Sequence, residues 1–169
     1  SMSATEGGVM KIHLAGEGAA RVAELMHDFD EITIVAFDTA PVDVIGPLPG
    51  TERDKAASKA RTIGPGGGGI YVYEALQFAA DIIRKSTNPT RHIILLSDGS
   101  DSEHPEGARD LVRTLADEGI TLSVISIGEG QDVPFLKDIA ALGHGRFHLT
   151  QEAASIPNIL TSEAAEVQR

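Results

Sequence analysis

Two β-rich runs constrain the fold of this chain more than any other feature. His92 to Leu96 is a continuous apolar run followed by the turn signal Ser97-Asp98-Gly99, and Thr121 to Ile127 is a second such run that ends at Gly128. Strands covered on both faces inside a parallel sheet have this pattern. Segments of helical periodicity surround both runs, so they predict a parallel sheet packed between helices.

Helical and strand patterns alternate along the rest of the chain about every 25–30 residues, as right-handed crossovers require. The strand patterns lie at 32–37, 42–45, 92–96, 121–127 and 146–149, and the helical ones at 14–28, 52–62, 71–85, 108–115, 135–142 and 153–166. Val42 to Ile45 follows its neighbour across a tight turn, which predicts an antiparallel edge strand. We expect one domain over 1–169, with a flexible segment at 1–8 and the domain body at 9–166.

Composition excludes several function classes. The net charge of −11, from 14 basic and 25 acidic residues, argues against a nucleic-acid binder, because phosphate contacts need a basic surface. The sequence has no Cys, which rules out disulfides, Cys-ligated zinc and thiol catalysis. No apolar run approaches the roughly 20 residues of a membrane span, so we expect no direct membrane insertion of this chain.

Ligands of such sheets bind outside the carboxyl ends of the strands. One interpretation makes Met10 to Leu14 the first strand. Gly16 and Gly18 then form a dinucleotide-binding turn, with Asp38 as the ribose partner about 20 residues on. Arg21 stands where the third glycine belongs, however, and the proposed strand is partly polar. A Rossmann-type nucleotide-binding domain is therefore the alternative.

The second interpretation starts a helix at 9–14 and rests on a family resemblance. The segments that carry it are Lys11 to Ala23, Ile32 to Thr39, Pro47-Leu48, Gly66 to Gly69 followed by Ala75-Leu76, Arg91 to Gly99, Ile120 to Val124, Gly145 to Phe147, and Ile156-Pro157. In this order and spacing they resemble the von Willebrand factor type A (vWA) domain, most of all its bacterial envelope-associated members. The resemblance implies a three-layer, Rossmann-like α/β fold with a mostly parallel sheet.

The resemblance also implies a binding module, often with one divalent cation at a metal-ion-dependent adhesion site. The ligands of that site are an Asp-x-Ser-x-Ser motif, a Thr in the glycine-rich loop and an Asp after the fourth strand. Asp98 matches the last of these, and Ser1 matches the final Ser of the motif, although Ser1-Met2 also fits a cloning scar before a start Met. Ile70, or Gly69 in a shifted alignment, replaces the Thr. We therefore expect an incomplete site that binds Mg²⁺ or Mn²⁺ weakly at most.

A partner-binding rim is expected around that site. Its residues would come from the glycine-rich loop and from the loop after the fourth strand: Gly68, Gly69, Ile70, Tyr71, Ser100 and Asp101. We expect a protein partner, which the sequence does not identify, and no enzyme, because no elbow motif surrounds Ser97. The sequence leaves the compartment open, and the resemblance favours the bacterial cell envelope.

Three histidines could suggest a metal site, but the sequence around them does not favour one. His144 lies between Gly143 and Gly145, and His148 follows four residues later in a predicted strand, so they do not share a helix face. His92 opens a buried strand and is expected to be a structural histidine with its hydrogen bonds satisfied.

The family's first strand, which lies centrally between the second and fourth, has no counterpart in this chain. Its absence would leave two unpaired strand edges. A segment of a second copy could fill the gap, the second strand could close against the fourth, or residues 9–14 could form a strand. Exchange between copies, giving a homodimer, is favoured because it pairs both edges.

Overall fold

The computed structural model describes residues 6–37, 41–64, 72–97 and 105–168. Its helices are α1 (Glu6–Glu24), α2 (Arg53–Ala60), α3 (Val72–Ile83), α4 (Pro105–Asp117), α5 (Val133–Leu142) and α6 (Ile156–Val167). Its strands are β1 (Glu31–Phe37), β2 (Pro41–Pro49), β3 (Arg91–Ser97), β4 (Ile120–Ile127) and β5 (His144–Thr150). The predicted α/β fold is confirmed.

The strands form two sheets, and the chain divides into two compact units. The parallel-sheet unit lies within Gly69–Glu152, and the antiparallel-sheet unit combines Met2–Gly68 with Ala153–Arg169. Among the described residues β1 and β3 belong to different sheets and do not pair with each other. That 1–169 form one domain remains a prediction.

The parallel-sheet unit has the strand order β3-β4-β5, with every pair parallel. Alternate side chains of a strand share one face, so the core on one side of this sheet includes Leu95, Leu122 and Val124. Helices α3, α4 and α5 supply the other half of that core with these buried residues: Val72, Leu76, Ala108, Val112, Phe135, Leu136, Ile139 and Ala140. The sequence predicted each of these helices.

The position of β3 differs from the prediction that it would be buried on both faces. Within the described residues β3 pairs only with β4, so it forms an edge of the sheet. Only Leu95 and Ser97 of β3 are buried, whereas β4, paired on both sides, is buried at every residue except Thr121. The sequence of β3 is that of an internal strand because its apolar residues point to both faces, but its pairing in the described residues is that of an edge strand.

The antiparallel-sheet unit contains the predicted pair of β1 and β2. Strand β2 is longer than expected, because it passes through Gly46 instead of ending there. Gly46 has a φ of 100°, and the register shifts between Ile32 and Ile34 opposite it. Because Gly46 accommodates this irregularity at positive φ, the two strands continue to pair as far as Leu48 and Pro49.

Helix α1 corrects the nucleotide-binding interpretation. It covers residues 9–14, so these residues form no strand, and it begins early enough to include 6–8 of the segment expected to be flexible. Gly16 and Gly18 lie inside this helix, not in a phosphate-binding turn. A Cβ at Gly16 would lie 2.7 Å from the Ala60 carbonyl oxygen, and one at Gly18 would lie 2.5 Å from Cδ1 of Leu160. Both glycines allow α1 to approach α2 and α6 closely.

Candidate functional site

The carboxyl edge of the parallel sheet is built from two buried serines. Ser97 ends β3 and lies opposite Ser126 of β4 in the register, with 1 % and 0 % of their surfaces exposed. The Ser126 hydroxyl donates to the Gly128 carbonyl oxygen at 3.1 Å, and the Gly128 amide donates to the Thr150 carbonyl oxygen at 2.5 Å. The first bond closes the end of β4 on itself, and the second joins the end of β4 to the end of β5.

The first turn of α3 lies at the same edge. Val72 packs in one core cluster with Leu95, near the end of β3, while Ala80 packs with Ile120 at the start of β4. Helix α3 therefore runs antiparallel to the strands. The start of α3 and the end of β3 therefore lie at the same edge; in the sequence, 65–71 directly precede α3 and 98–104 directly follow β3.

Tyr73 connects the first turns of α3 and α4. A Cβ at Gly107 would lie 3.2 Å from Cε1 of Tyr73, so the ring packs directly on the α4 backbone. The Tyr73 hydroxyl accepts a hydrogen bond from Nε2 of Gln77 at 2.9 Å. The two helix starts that follow the glycine-rich loop and the Asp98 loop are thus fixed against each other by an aromatic ring.

Arg109 fixes α4 to α5. Its Nε donates to Oδ2 of Asp138 at 2.7 Å, its Nη1 pairs with Glu106, and its guanidinium lies 5.2 Å from the centre of the Phe135 ring. The hydrogen bond to Asp138, followed by that to Glu106, raises the pKa of Arg109, so the guanidinium stays charged at every ordinary pH. The network stabilises the helices that frame the edge.

Glu74 is a polar group at this edge that the sequence analysis did not single out. It lies in the first turn of α3, where a carboxylate is favoured by the helix dipole. Its Oε2 atom is buried and accepts no hydrogen bond from any of the described residues. The acidic first turn after a glycine-rich segment was the available sequence signal. This oxygen can accept a hydrogen bond or contact a cation.

The residues of the predicted metal site and rim lie outside the described residues. They are Ser1, Asp98, Gly68, Gly69, Ile70, Tyr71, Ser100 and Asp101, and the same holds for Asp38 of the nucleotide alternative. Their roles remain predictions. Within the part of the chain that the structure describes, no group of three or more His, Asp or Glu side chains is placed to hold a metal ion.

The prediction for His92 is tested directly. His92 lies between two hydroxyls of β4, with Nδ1 2.6 Å from Thr121 Oγ1 and Nε2 3.1 Å from Ser123 Oγ. It is a structural histidine, as predicted. His144 and His148 belong to no metal-binding group among the described residues.

The fold and this edge can now be compared with known proteins. The sequence profile described as "von Willebrand factor type A domain" matches residues 1–100, which is more than half of the chain. The chain belongs to this family. Its α/β fold, with helices on a parallel sheet, is the fold that the resemblance implied.

Relatives of this vWA chain include bacterial proteins and solved structures. A UPF0353 protein of Mycolicibacterium vanbaalenii is 25 % identical over 186 residues, covering 96 % of this chain and 56 % of that protein. The chain thus spans little more than half the length of that curated relative. A von Willebrand factor type A structure from Catenulispora acidiphila has a TM-score of 0.82 at 22 % identity, covering 94 % of this chain and 38 % of that one.

Two further solved structures are similar to this chain in fold. BatB from Bacteroides thetaiotaomicron has a TM-score of 0.74 at 18 % identity, with 93 % of this chain and 88 % of that one covered. An aerotolerance-related membrane protein from Bacteroides fragilis has a TM-score of 0.68 at 17 % identity, with 92 % and 88 % covered. In the ranges that the structure describes for our chain, none of the helices combines the length and apolarity needed to cross a bilayer.

Proposed function

We propose that this vWA chain is a non-catalytic protein-interaction module. Its partner would bind the rim at the carboxyl edge of the parallel sheet, formed by Gly68, Gly69, Ile70, Tyr71, Ser100 and Asp101. The observation that carries the proposal is that the start of α3 and the end of β3 lie at one edge, where Val72 packs with Leu95. In the sequence, the rim residues directly precede α3 or directly follow β3. Ligands of open α/β sheets bind at this kind of edge.

The buried hydroxyls at the edge support a binding role over nucleophilic catalysis. A catalytic serine needs an accessible oxygen and a base beside it. Ser97 and Ser126 are almost fully buried, and the Ser126 proton is donated to a backbone carbonyl. These two serines therefore support the sheet, and recognition would rest on the surface of the loops beyond them.

The proposed metal site is incomplete, with Asp98 and Ser1 as its remaining ligands. Mg²⁺ takes near-octahedral hard oxygen ligands, and cation affinity falls as the number and charge of ligands fall. The described residues add only the free oxygen of Glu74 near this edge, which is too little for a complete set. A bound ion would supply a positive centre for a partner carboxylate, and Asp98 and Ser1 would be the residues that hold it.

Isothermal titration with Mg²⁺ and Mn²⁺ tests the incomplete site. We expect millimolar rather than micromolar dissociation constants, because few ligands remain. The Asp98→Asn variant should abolish the residual heat. Micromolar binding by the unmodified chain would contradict the proposal.

We also propose that the protein works at the bacterial cell envelope. The support is that one solved structure of the same fold is that of an aerotolerance-related membrane protein from Bacteroides fragilis. Fractionation of the full-length protein in its own host would place it in the membrane or envelope fraction. Recovery only from the cytosolic fraction would contradict this.

We propose that the chain forms a homodimer by segment exchange, which would pair the free strand edges. Among the described residues, β1 pairs only with β2 and β3 pairs only with β4, so each strand keeps one edge that another strand can occupy. Strand β3 has apolar residues on both of its faces, which favours an internal position in a sheet. A strand from a second copy would supply the missing neighbour.

Site-specific crosslinking tests the rim. A photoreactive benzoylphenylalanine at Tyr71 in the full-length protein should give a discrete crosslinked product in its host. The matched control replaces Asp117, an exposed residue that ends α4 at the opposite, amino edge of the sheet. No product from position 71, or the same product from position 117, would overturn the proposed rim.

A further inference from the structure

The connection between α1 and β1 exposes two large apolar side chains. Phe29 is 78 % exposed and Leu25 is 52 % exposed. The His27 ring stacks on Phe29, with centroids 5.3 Å apart and planes inclined by 14°. Single exposed apolar residues are ordinary on protein surfaces, so exposure by itself carries no argument. We call residues 25–30 the Phe29 loop.

The Phe29 loop is held rigidly from within. The His27 amide donates to Oδ2 of Asp30 at 2.9 Å, and the Asp30 amide donates back to the His27 carbonyl oxygen at 3.0 Å. Between these two residues the chain makes a closed turn that carries Phe29 outward. Met26 is buried beside the turn and anchors its other end.

Other residues of the antiparallel-sheet unit also hold the loop in place. Arg53 donates from Nε to the Met26 carbonyl oxygen at 2.9 Å and pairs with Asp28. The Gly50 amide donates to the Asp30 carbonyl oxygen at 2.7 Å, and Gly50 lies so close to the loop that a Cβ there would overlap the His27 carbonyl oxygen. A side chain presented on a fixed backbone loses less conformational entropy when it binds.

Charge distinguishes among the possible occupants of this surface. Residues 24–31 contain four carboxylates and no Lys or Arg. Glu24 pairs with Arg61 and Asp28 pairs with Arg53, so Asp30 and Glu31 make up the local excess of negative charge. The side chain of Asp28 is 73 % exposed. An acidic border disfavours anionic lipid surfaces, which attract basic segments. It also disfavours a second copy of this acidic patch, because like charges would face each other. A protein surface with Lys or Arg around an apolar pocket is complementary to it.

We propose that Leu25 and Phe29 form an anchor that docks into an apolar pocket bordered by basic side chains on a partner protein. The loop belongs to the antiparallel-sheet unit and shares no residue with the proposed rim. This proposal therefore does not depend on the rim. Binding energy at such surfaces concentrates in a few aromatic anchors with a border that excludes water.

A designed amphipathic helical peptide of Leu and Lys is the probe, and the same peptide with Glu in place of Lys is its control. In ¹H–¹⁵N spectra of the protein, the Lys peptide should shift the amides of residues 25–31, and the Glu peptide should not. Phe29→Ser should weaken binding at least about tenfold. Val44→Ser removes another exposed apolar side chain, 46 % exposed on β2, and should leave the affinity unchanged.

Thermal unfolding verifies that both variants remain folded, which is expected because both side chains are exposed. Several outcomes would overturn the proposal: shifts confined to other residues, equal binding of the two peptides, or no effect of Phe29→Ser. Phe29-dependent binding to phosphatidylcholine vesicles would assign the surface to lipid instead. Phe29-dependent dimerisation of the free protein would assign it to a second copy.

Discussion

At the scale of single residues, backbone conformation explains one unusual position. His144 starts β5 with a φ of 58°, in the left-handed region that favours glycine. The side chain is exposed. The strain at this residue is a local cost of turning from α5 directly into β5.

The His144→Gly variant should be more stable than the unmodified protein by about 0.5–1 kcal/mol, because glycine adopts positive φ without steric cost. His148→Gly, within the same strand, should lose about 1 kcal/mol, since glycine weakens a strand interior. Urea unfolding of both variants measures the difference. A less stable His144→Gly would mean that the histidine side chain contributes more than its strain costs.

An ion-pair cluster gives a second residue-scale expectation. Arg61 of the α2 end donates to Glu17 at 2.9 Å and to Glu24 at 3.0 Å, and Arg21 also reaches Glu17. The hydrogen bond from Arg61 lowers the pKa of Glu17 below its ordinary range, with Arg21 adding to the effect. All these groups are near the surface, where screening limits their contribution to stability.

Removing Arg61 should return the Glu17 pKa toward its ordinary value. Because the folded pKa is lowered, the stabilisation is present above the unfolded pKa and is lost as pH falls through the folded one. NMR titration of the Glu17 carboxyl carbon in Arg61→Gln should show the rise. Arg113→Gln, which breaks only the Arg113–Asp110 pair, should leave it unchanged.

At the scale of elements, α1 packs closely against α2 and α6. Its Gly16 faces the backbone carbonyl of Ala60 at the end of α2, and its Gly18 faces Leu160 and Pro157 of α6. Alanines such as Ala20 and Ala57 fill the cluster between α1 and α2. Small side chains allow the helix axes to approach, and the core of this unit depends on that distance.

The overpacking in Gly16→Ala should cost about 1–3 kcal/mol, because the new methyl meets a backbone oxygen that cannot rotate away. Higher helix propensity offsets about 1 kcal/mol of this cost, so the net loss should be up to about 2 kcal/mol. Gly64→Ala is the control, since a Cβ there meets nothing within 4 Å. Equal stability of the two variants in thermal unfolding would show that α1 shifts to accommodate the methyl.

At the scale of the whole molecule, the unpaired strand edges make oligomeric state the decisive observable. If segment exchange occurs, light scattering after size exclusion should give the mass of two chains, about twice 17.8 kDa. Dilution should shift the population toward monomer. A clean monomer at every concentration would remove the exchange proposal and leave the family assignment intact.

The sequence by itself determined the order and type of the elements. Periodicity is a local property, so the apolar runs at 92–96 and 121–127, and the stops at Gly119 and Gly143, are visible without tertiary information. The structural role of His92 was also predictable from its place in a strand. The candidate site was predicted only as loop positions, since the chemistry of a strand end depends on which loops meet there.

Tertiary structure alone decided what the same local patterns are used for. Gly16 and Gly18 fit a phosphate-binding turn as well as a helix contact, and only the positions of Ala60 and Leu160 distinguish the two. The edge position of β3 and the outward presentation of Phe29 likewise depend on partners distant in sequence. Periodicity specifies which face of an element is apolar, but non-local packing determines what, if anything, covers that face.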